Sequence, residues 1–321
     1  MPNSCAVRLI VPPWRSFLPE ITTPDRMGRL SGQAWGLGYL GGVLTLVLCL
    51  GYIKWAQHRH QVQTDFVPVT LWITAAIFGL AALPTFLWLK ERAVARPLSD
   101  GTTVARSGFR SVLQTLDHAR EFKDLFRFLG TLVIFQSGVA TVIIVAAIYA
   151  QEVLDFTSDK IVIMVIVVNL TAAVGAFAMG YVQDKFGSVR ALALSLCIWI
   201  VAIVRVMVAD SDTDVWIAAN LIGIAMGSCQ ATGRALTGLF TPVQRTGEFF
   251  GLWGLAVNLA SIIGPLSYGL IGFVTGGDHR MAVMSTLVFF GTGLALLTTI
   301  DEGRGRRAAV LAGETEAMRE D

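Results

Sequence analysis

Charge is what this sequence has least of. Asp, Glu, Lys and Arg make up 15% of its 321 residues, where a soluble domain carries about 25%. Hydrophobic residues make up 54%, and mean hydropathy is +0.62. That leaves too little polar surface to cover a water-soluble globule and too much apolar content for a disordered chain. A net charge of only +2, with no strongly basic domain, excludes the electrostatic footprint of a nucleic-acid binder. Cysteine is scarce as well. Cys5, Cys49, Cys197 and Cys229 show neither CxxC nor metal-ligand spacing. They read as small buried side chains, not as a disulfide framework or a zinc site. Residues 1–29 contain Arg8, Arg15, Arg26 and Arg29 but no apolar core long enough for a secretory signal. Walker A, HExxH and GxSxG patterns are all missing. No catalytic constellation, cofactor or metal is therefore expected.

What is present is a series of long apolar runs. A helix crossing a ~30 Å hydrocarbon core needs about 20 such residues. Eight runs qualify, near 33–53, 68–89, 128–150, 161–183, 190–209, 215–240, 249–275 and 281–300. None holds an Asp or Glu, and two hold an arginine, Arg205 and Arg234. The expected fold is an all-α membrane protein, a helical bundle in a lipid bilayer. A mixed-charge stretch at 91–127 divides the spans two plus six. The expected organisation is a segment 1–32, two spans over 33–90, a loop 91–127, six spans over 128–300 and a polar, mobile tail 301–321. Grouping both termini and the 91–127 loop on one side puts 19 Lys/Arg there and four on the other. By the positive-inside rule that side is cytoplasmic, in a multi-pass protein of the cytoplasmic membrane.

Glycine is abundant, and its spacing has two readings. Gly36-Leu37-Gly38-Tyr39-Leu40-Gly41 matches a dinucleotide fingerprint by letter. It lies inside an apolar span, with no strand before it, so close helix packing explains it better. Gly32/Gly36, Gly38/Gly42, Gly223/Gly227 and Gly247/Gly251 repeat the same small-xxx-small theme. His58 and His60 sit in a loop with few ligand partners nearby, and a solvated loop is expected there.

The most specific local signal is Gly180-Tyr181-Val182-Gln183-Asp184-Lys185-Phe186-Gly187-Ser188-Val189-Arg190. Gly180 permits a close helix approach and Gly187 a tight turn. Asp184 stands at a helix C-terminus, where the dipole disfavours an anion. It therefore needs a partner: Lys185, Arg190 or the N-terminus of another helix. The bland alternative is an ordinary charged turn. The segment resembles the cytoplasmic loop motif of the major facilitator superfamily. An internal echo agrees with that resemblance. Thr23-Pro24 followed by Trp35-Gly36-Leu37 recurs as Thr241-Pro242 followed by Trp253-Gly254-Leu255, as parallel repeats of two halves would require.

Two polar faces complete the reading. Asn220, Gly223, Gly227, Gln230 and Arg234 recur at three- and four-residue spacing on one helix, and Gly251, Gly254, Asn258, Ser261, Pro265 and Tyr268 on the next. They either line a solute path, with Arg234 as a fork for a carboxylate or phosphate, or glue helix to helix while Arg234 snorkels. Arg205, near a span end, is expected to snorkel. Gln136 and Ser137 are weaker mid-span candidates.

Phe17-Leu18-Pro19-Glu20-Ile21-Thr22-Thr23-Pro24, Gln230-Ala231-Thr232-Gly233-Arg234 and Gly247-Glu248-Phe249-Phe250-Gly251-Leu252-Trp253 resemble the vacuole-effluxer-like family of that superfamily. The resemblance runs from about Ser16 to Glu302. It implies a permease moving a small polar solute, such as an amino acid, by alternating access. It also implies a cytoplasmic gate built of Asp184, Lys185 and Arg190, with Asp184 docked near Gly32 and Gln33. The family's first four spans are absent, so the first span here would be its fifth and the seventh its eleventh. That absence leaves room for a second polypeptide supplying helices, or for a non-transporting remnant or accessory protein. The family's Asn-Asp pair is replaced by Gln136-Ser137, and no span carries a carboxylate to couple protons.

Overall fold

The computed structural model describes residues 22–88, 122–152, 156–277 and 279–320. All regular structure among them is helical. The main helices are α1 (Met27–His58), α2 (Gln63–Trp88), α3 (Lys123–Glu152), α4 (Ser158–Phe186) and α5 (Ser188–Met207). They continue with α6 (Asp212–Leu239), α7 (Thr246–Val274), α8 (His279–Met284), α9 (Thr286–Leu297) and α10 (Glu302–Glu320). Seven of them are long and apolar enough to cross a bilayer. Met281–Leu297 reaches that standard only together with Glu302–Thr315, from which it is bent by 68°.

Capping residues set several boundaries. Thr157 accepts from the Lys160 N–H at the start of α4. Ser211 accepts from the Asp214 N–H at the start of α6, and its hydroxyl donates back to the Asp214 carboxylate, which satisfies N-terminal amides. Gly187 adopts φ 94°, a left-handed value that a side chain resists, and so turns α4 into α5 with no intervening loop. The two Thr-Pro segments both lead through a 3-10 turn, Pro24–Arg26 and Val243–Arg245, into α1 and α7.

Helices α3 to α9 share one core. Phe128, Phe135, Trp199, Phe249 and Phe290 are among its largest buried side chains. Trp199 stacks on Phe290 with centroids 4.9 Å apart, joining α5 to α9. Around this core α4 packs on α6, α6 on α5, and α3 on both α7 and α9. Helix α1 lies against α4 and α6, while α2 touches mainly α1. Much of the apolar surface of α2 stays uncovered, with Leu71, Trp72, Phe78 and Phe86 exposed.

Several expectations need correction. Helix α1 begins at Met27 and α3 at Lys123, so each reaches about five residues further back than its apolar run. Residues 1–21 and most of the 91–127 loop lie outside the described residues. The eighth apolar run is not one helix; it breaks at Ser285 between α8 and α9. The tail is helical over Glu302–Glu320. It forms α10, docked through Arg304 on Asp124. Cys229 is buried, but Cys197 is exposed and Cys49 half-buried. Arg205, in the last turn of α5, pairs with Asp214 in the first turn of α6.

A candidate gate and solute path

Two of the small-residue pairs work as crossings, bringing α1 and α6 close to α4. A Cβ on Gly28 would stand 2.8 Å from the Gly180 carbonyl oxygen, and one on Gly180 would stand 2.7 Å from that of Gly28. Gly32 faces the Ala176 backbone and Gly36 the Phe177 ring. Along α6, Gly227 meets the Ala172 backbone of α4, and Gly223 meets the Thr171 side chain and the Val168 carbonyl oxygen. Ser228 donates to the Gly175 carbonyl at 3.1 Å, and Ser31 donates to the Ala231 carbonyl at 2.7 Å, tying α1, α4 and α6 together. The other two pairs behave differently. Gly38, Gly247 and Gly251 would meet nothing within 4 Å, and Gly42 only Asn169 at 3.9 Å.

This close approach delivers Asp184 to the first turn of α1. Its carboxylate accepts from the Gly28 N–H at 2.9 Å, the Arg29 N–H at 3.3 Å and Arg29 Nε at 2.9 Å. The side chain is only 6% exposed. A buried anion at the end of its own helix is unfavourable, and the amino end of α1 supplies the compensating dipole and donors. Among the three partners the sequence allowed, the helix N-terminus is therefore the one present. It sits one turn before Gly32 and Gln33 because α1 starts earlier. Lys185 and Arg190 are exposed, and neither pairs with Asp184. Lys185 lies over the Phe186 ring at 5.2 Å. Gln183, beside Asp184, donates to Ser188 Oγ at 2.9 Å and stiffens the turn.

The sequence reading missed Gly28 and Arg29, although Gly28 extends the four-residue glycine spacing of Gly32 and Gly36. It also missed Asp124. That carboxylate accepts from Arg304 Nε at 2.6 Å, Arg304 Nη2 at 2.7 Å and the Asp301 N–H at 3.0 Å. No local pattern links residues 180 positions apart.

The path candidates are dispersed. Gln136 is buried in α3 and makes no hydrogen bond to a described residue. Beside it, Ser137 donates to the Val133 carbonyl, and its own backbone packs on Gly264 of α7. Asn220, Gln230 and Arg234 are half-buried on α6. The Asn220 amide turns back to the Trp216 carbonyl at 2.7 Å. Asn258 and Ser261 are exposed on α7, with Ser261 bonded to the Asn258 carbonyl. No hydrogen bond joins Gln136, Gln230 and Asn258 to one another. A cavity of about 210 Å³ lies toward the opposite end, lined by Thr141, Val142, Met164, Asn169, Met226 and Thr286 among others. None of the six candidates lines it. Among the described residues, no three His, Cys, Asp or Glu converge as a metal site would require.

The same chain can be set beside known proteins. It is 26% identical over 295 residues to an uncharacterized MFS-type transporter, YxiO, of Bacillus subtilis, covering 89% of this chain and 66% of that one. It is 24% identical over 308 residues to autophagy-related protein 22-1 of Penicillium rubens, covering 89% of this chain and 51% of that one. It thus spans about half to two thirds of the length of these relatives. In fold it is similar to the human organic anion transporter MFSD10, with TM-score 0.65 and 13% identity over 88% of this chain and 66% of that one. It is also similar to a bacterial homologue of the iron transporter ferroportin in an outward-facing state, with TM-score 0.58 and 14% identity over 88% and 65%. The family model described as vacuole effluxer Atg22 like matches residues 20–310, and on that match the chain belongs to the vacuole effluxer Atg22-like family, with a major-facilitator-type fold.

Proposed function

We propose that this chain forms the greater part of an alternating-access transporter for a small polar solute, closed at its Asp184 end. The observation that carries the reading is the grip of Asp184 on the first turn of α1. Helices α1 and α2 would act as what is present of one half, and α3 to α9 as the other. Opening the Asp184 end means parting α1 from α4 and α6, which breaks those three hydrogen bonds and the Ser31–Ala231 contact together. The excess of Lys and Arg at that end supports assigning it, and both termini, to the cytoplasm. A zwitterion such as an amino acid suits the path candidates. Arg234 would take the carboxylate as a planar fork, and the amides of Gln136 and Gln230 would serve the polar remainder. Asn220, Asn258 and Ser261 would line the approach to them. Lys185, Gly187 and Arg190 would shape and screen the turn that carries Asp184.

The test is uptake of radiolabelled amino acids into proteoliposomes. Arg234→Ala should abolish saturable flux while the protein still inserts; undiminished flux removes Arg234 from the path. A second reading, a non-transporting remnant or accessory protein, is favoured by one observation. Helix α2 packs mainly on α1 and leaves Phe86 83% exposed, a face that lipid covers in this chain alone and that helices of a longer chain or of a second polypeptide would cover in a full bundle. Saturable flux from the 321-residue chain alone would exclude that reading.

A further inference from the structure

We infer that α10 is a latch across the Asp184 end, fixed to α3, α5 and α6 and able to disengage from the segment that leads into α1. The inference rests on the alternating-access reading and adds a moving part to it. The fixed end is strongly built. Asp124, with its side chain 2% exposed, holds Arg304 through two charge-assisted bonds and the Asp301 N–H through a third. Arg127 Nη1 donates to the Thr299 carbonyl at 2.7 Å. Glu302 accepts from the Val189 N–H at 3.0 Å, at the amino end of α5, where the helix dipole favours an anion. Gly305 lies flat on Phe240, so that a Cβ there would stand 2.6 Å from the ring.

The far end is built differently. Ala309, Val310, Gly313 and Glu314 rim a cavity of about 400 Å³, with Thr22, Pro24 and Met27 on another wall. The polar contacts around it are thin. Arg306 Nη2 reaches Asp25 at 3.4 Å, with side chains 46% and 82% exposed. Gln244 Nε2 donates to the Gly313 carbonyl at 3.3 Å. A long, solvated ion pair contributes little. The 68° bend before Glu302 is what sends the helix across the bundle. One end is thus bolted to elements that share a core. The other reaches across that cavity to Gln244 in the turn before α7 and, through Arg306, to Asp25 in the segment whose first helical turn Asp184 grips. Parting α1 from α4 must break the Arg306–Asp25 contact and can leave the strong ones intact.

The test needs no substrate. Ser31 is 0% exposed in the α1–α6 seam. Ser31→Cys, in a chain whose four native cysteines are replaced, reports opening through its rate of reaction with N-ethylmaleimide. Arg306→Asp, which faces Asp25 with a like charge, should speed labelling roughly two- to five-fold, the scale of an exposed pair. Adding Asp25→Arg should restore the parent rate. Truncation after Arg307 keeps the bolted turn and should speed labelling at least as much as Arg306→Asp. If Asp184→Asn speeds labelling while Arg306→Asp and the truncation leave it unchanged, the latch is overturned and the gate stands. If none of the three changes the rate, both are overturned. Acceleration by Arg306→Asp that the charge swap fails to reverse removes the Arg306–Asp25 contact from the latch.

Discussion

Replacing Gly227 by alanine, beside the same change at Gly251, tests the packing argument at its sharpest point. Both glycines belong to small-xxx-small pairs in apolar helices, so local sequence treats them alike. The structure does not. A Cβ at Gly227 would stand 2.7 Å from the Ala172 carbonyl carbon and 3.0 Å from its Cα, with the carbonyl oxygen closer still. These are backbone atoms and cannot rotate away, so α4 and α6 must separate along the seam. Overpacking of this kind costs about 1–3 kcal/mol. Separation also strains the Ser228–Gly175 hydrogen bond, of a type that contributes about 0.6 kcal/mol within a bilayer. Alanine returns about 1 kcal/mol as the better helix former. The net expectation for Gly227→Ala is a loss of about 2 kcal/mol. At Gly251 there is nothing within 4 Å, so only the helix term remains and Gly251→Ala should gain up to about 1 kcal/mol. Thermal unfolding in detergent, followed by tryptophan fluorescence, ranks the two variants against the parent. Equal shifts, or a larger loss at Gly251, would refute the assignment of the α4–α6 seam.

Two further perturbations bear on the Asp184 end. Asp184→Asn keeps one acceptor but loses the charge facing the α1 dipole and Arg29, a change of about 2 kcal/mol; distances between spin labels on α1 and α4 should broaden toward open forms, and an unaltered distribution would remove Asp184 as the clasp. Asp124→Ala should lower the unfolding temperature and make α10 susceptible to limited proteolysis, whereas an α10 equally protected in the variant would show that other contacts suffice to dock it.

How much was legible in the sequence depended on the range of the interaction. Helices α1 to α7 follow from apolar runs long enough to span a bilayer, because hydrocarbon forces each backbone polar group to bond within its own segment. Helix ends were less legible. Polar residues such as Asp124 and Arg127 can continue a helix beyond its apolar stretch, and hydropathy sees only the apolar part. The turn at Gly187 was readable because one residue type solves a local dihedral problem. The need for an Asp184 partner was readable too, since an anion at a helix C-terminus is unfavourable on its own. Which partner answers it was not, because that depends on where α1 begins and how closely α4 approaches.

Helix α10 shows the same limit from the other side. Its mixture of charged and small residues reads as a solvated tail, and nothing within Glu302–Glu320 indicates a docked element. Its docking comes from Asp124, a buried carboxylate on a helix distant in sequence. In water a polar helix of this length is marginal, and it is held only where tertiary contacts fix it. Asp124 in turn is tolerable in its buried place only because Arg304 and the Asp301 N–H reach it. Each group explains the other, and neither is informative alone. The glycines follow the same logic. A pair such as Gly247/Gly251 permits close approach but cannot specify it, and the helix that would use the space must be supplied by the fold. Pairwise complementarity of this kind is what a single sequence withholds, and it is concentrated at the Asp184 end, where the proposed transport cycle would make and break its contacts.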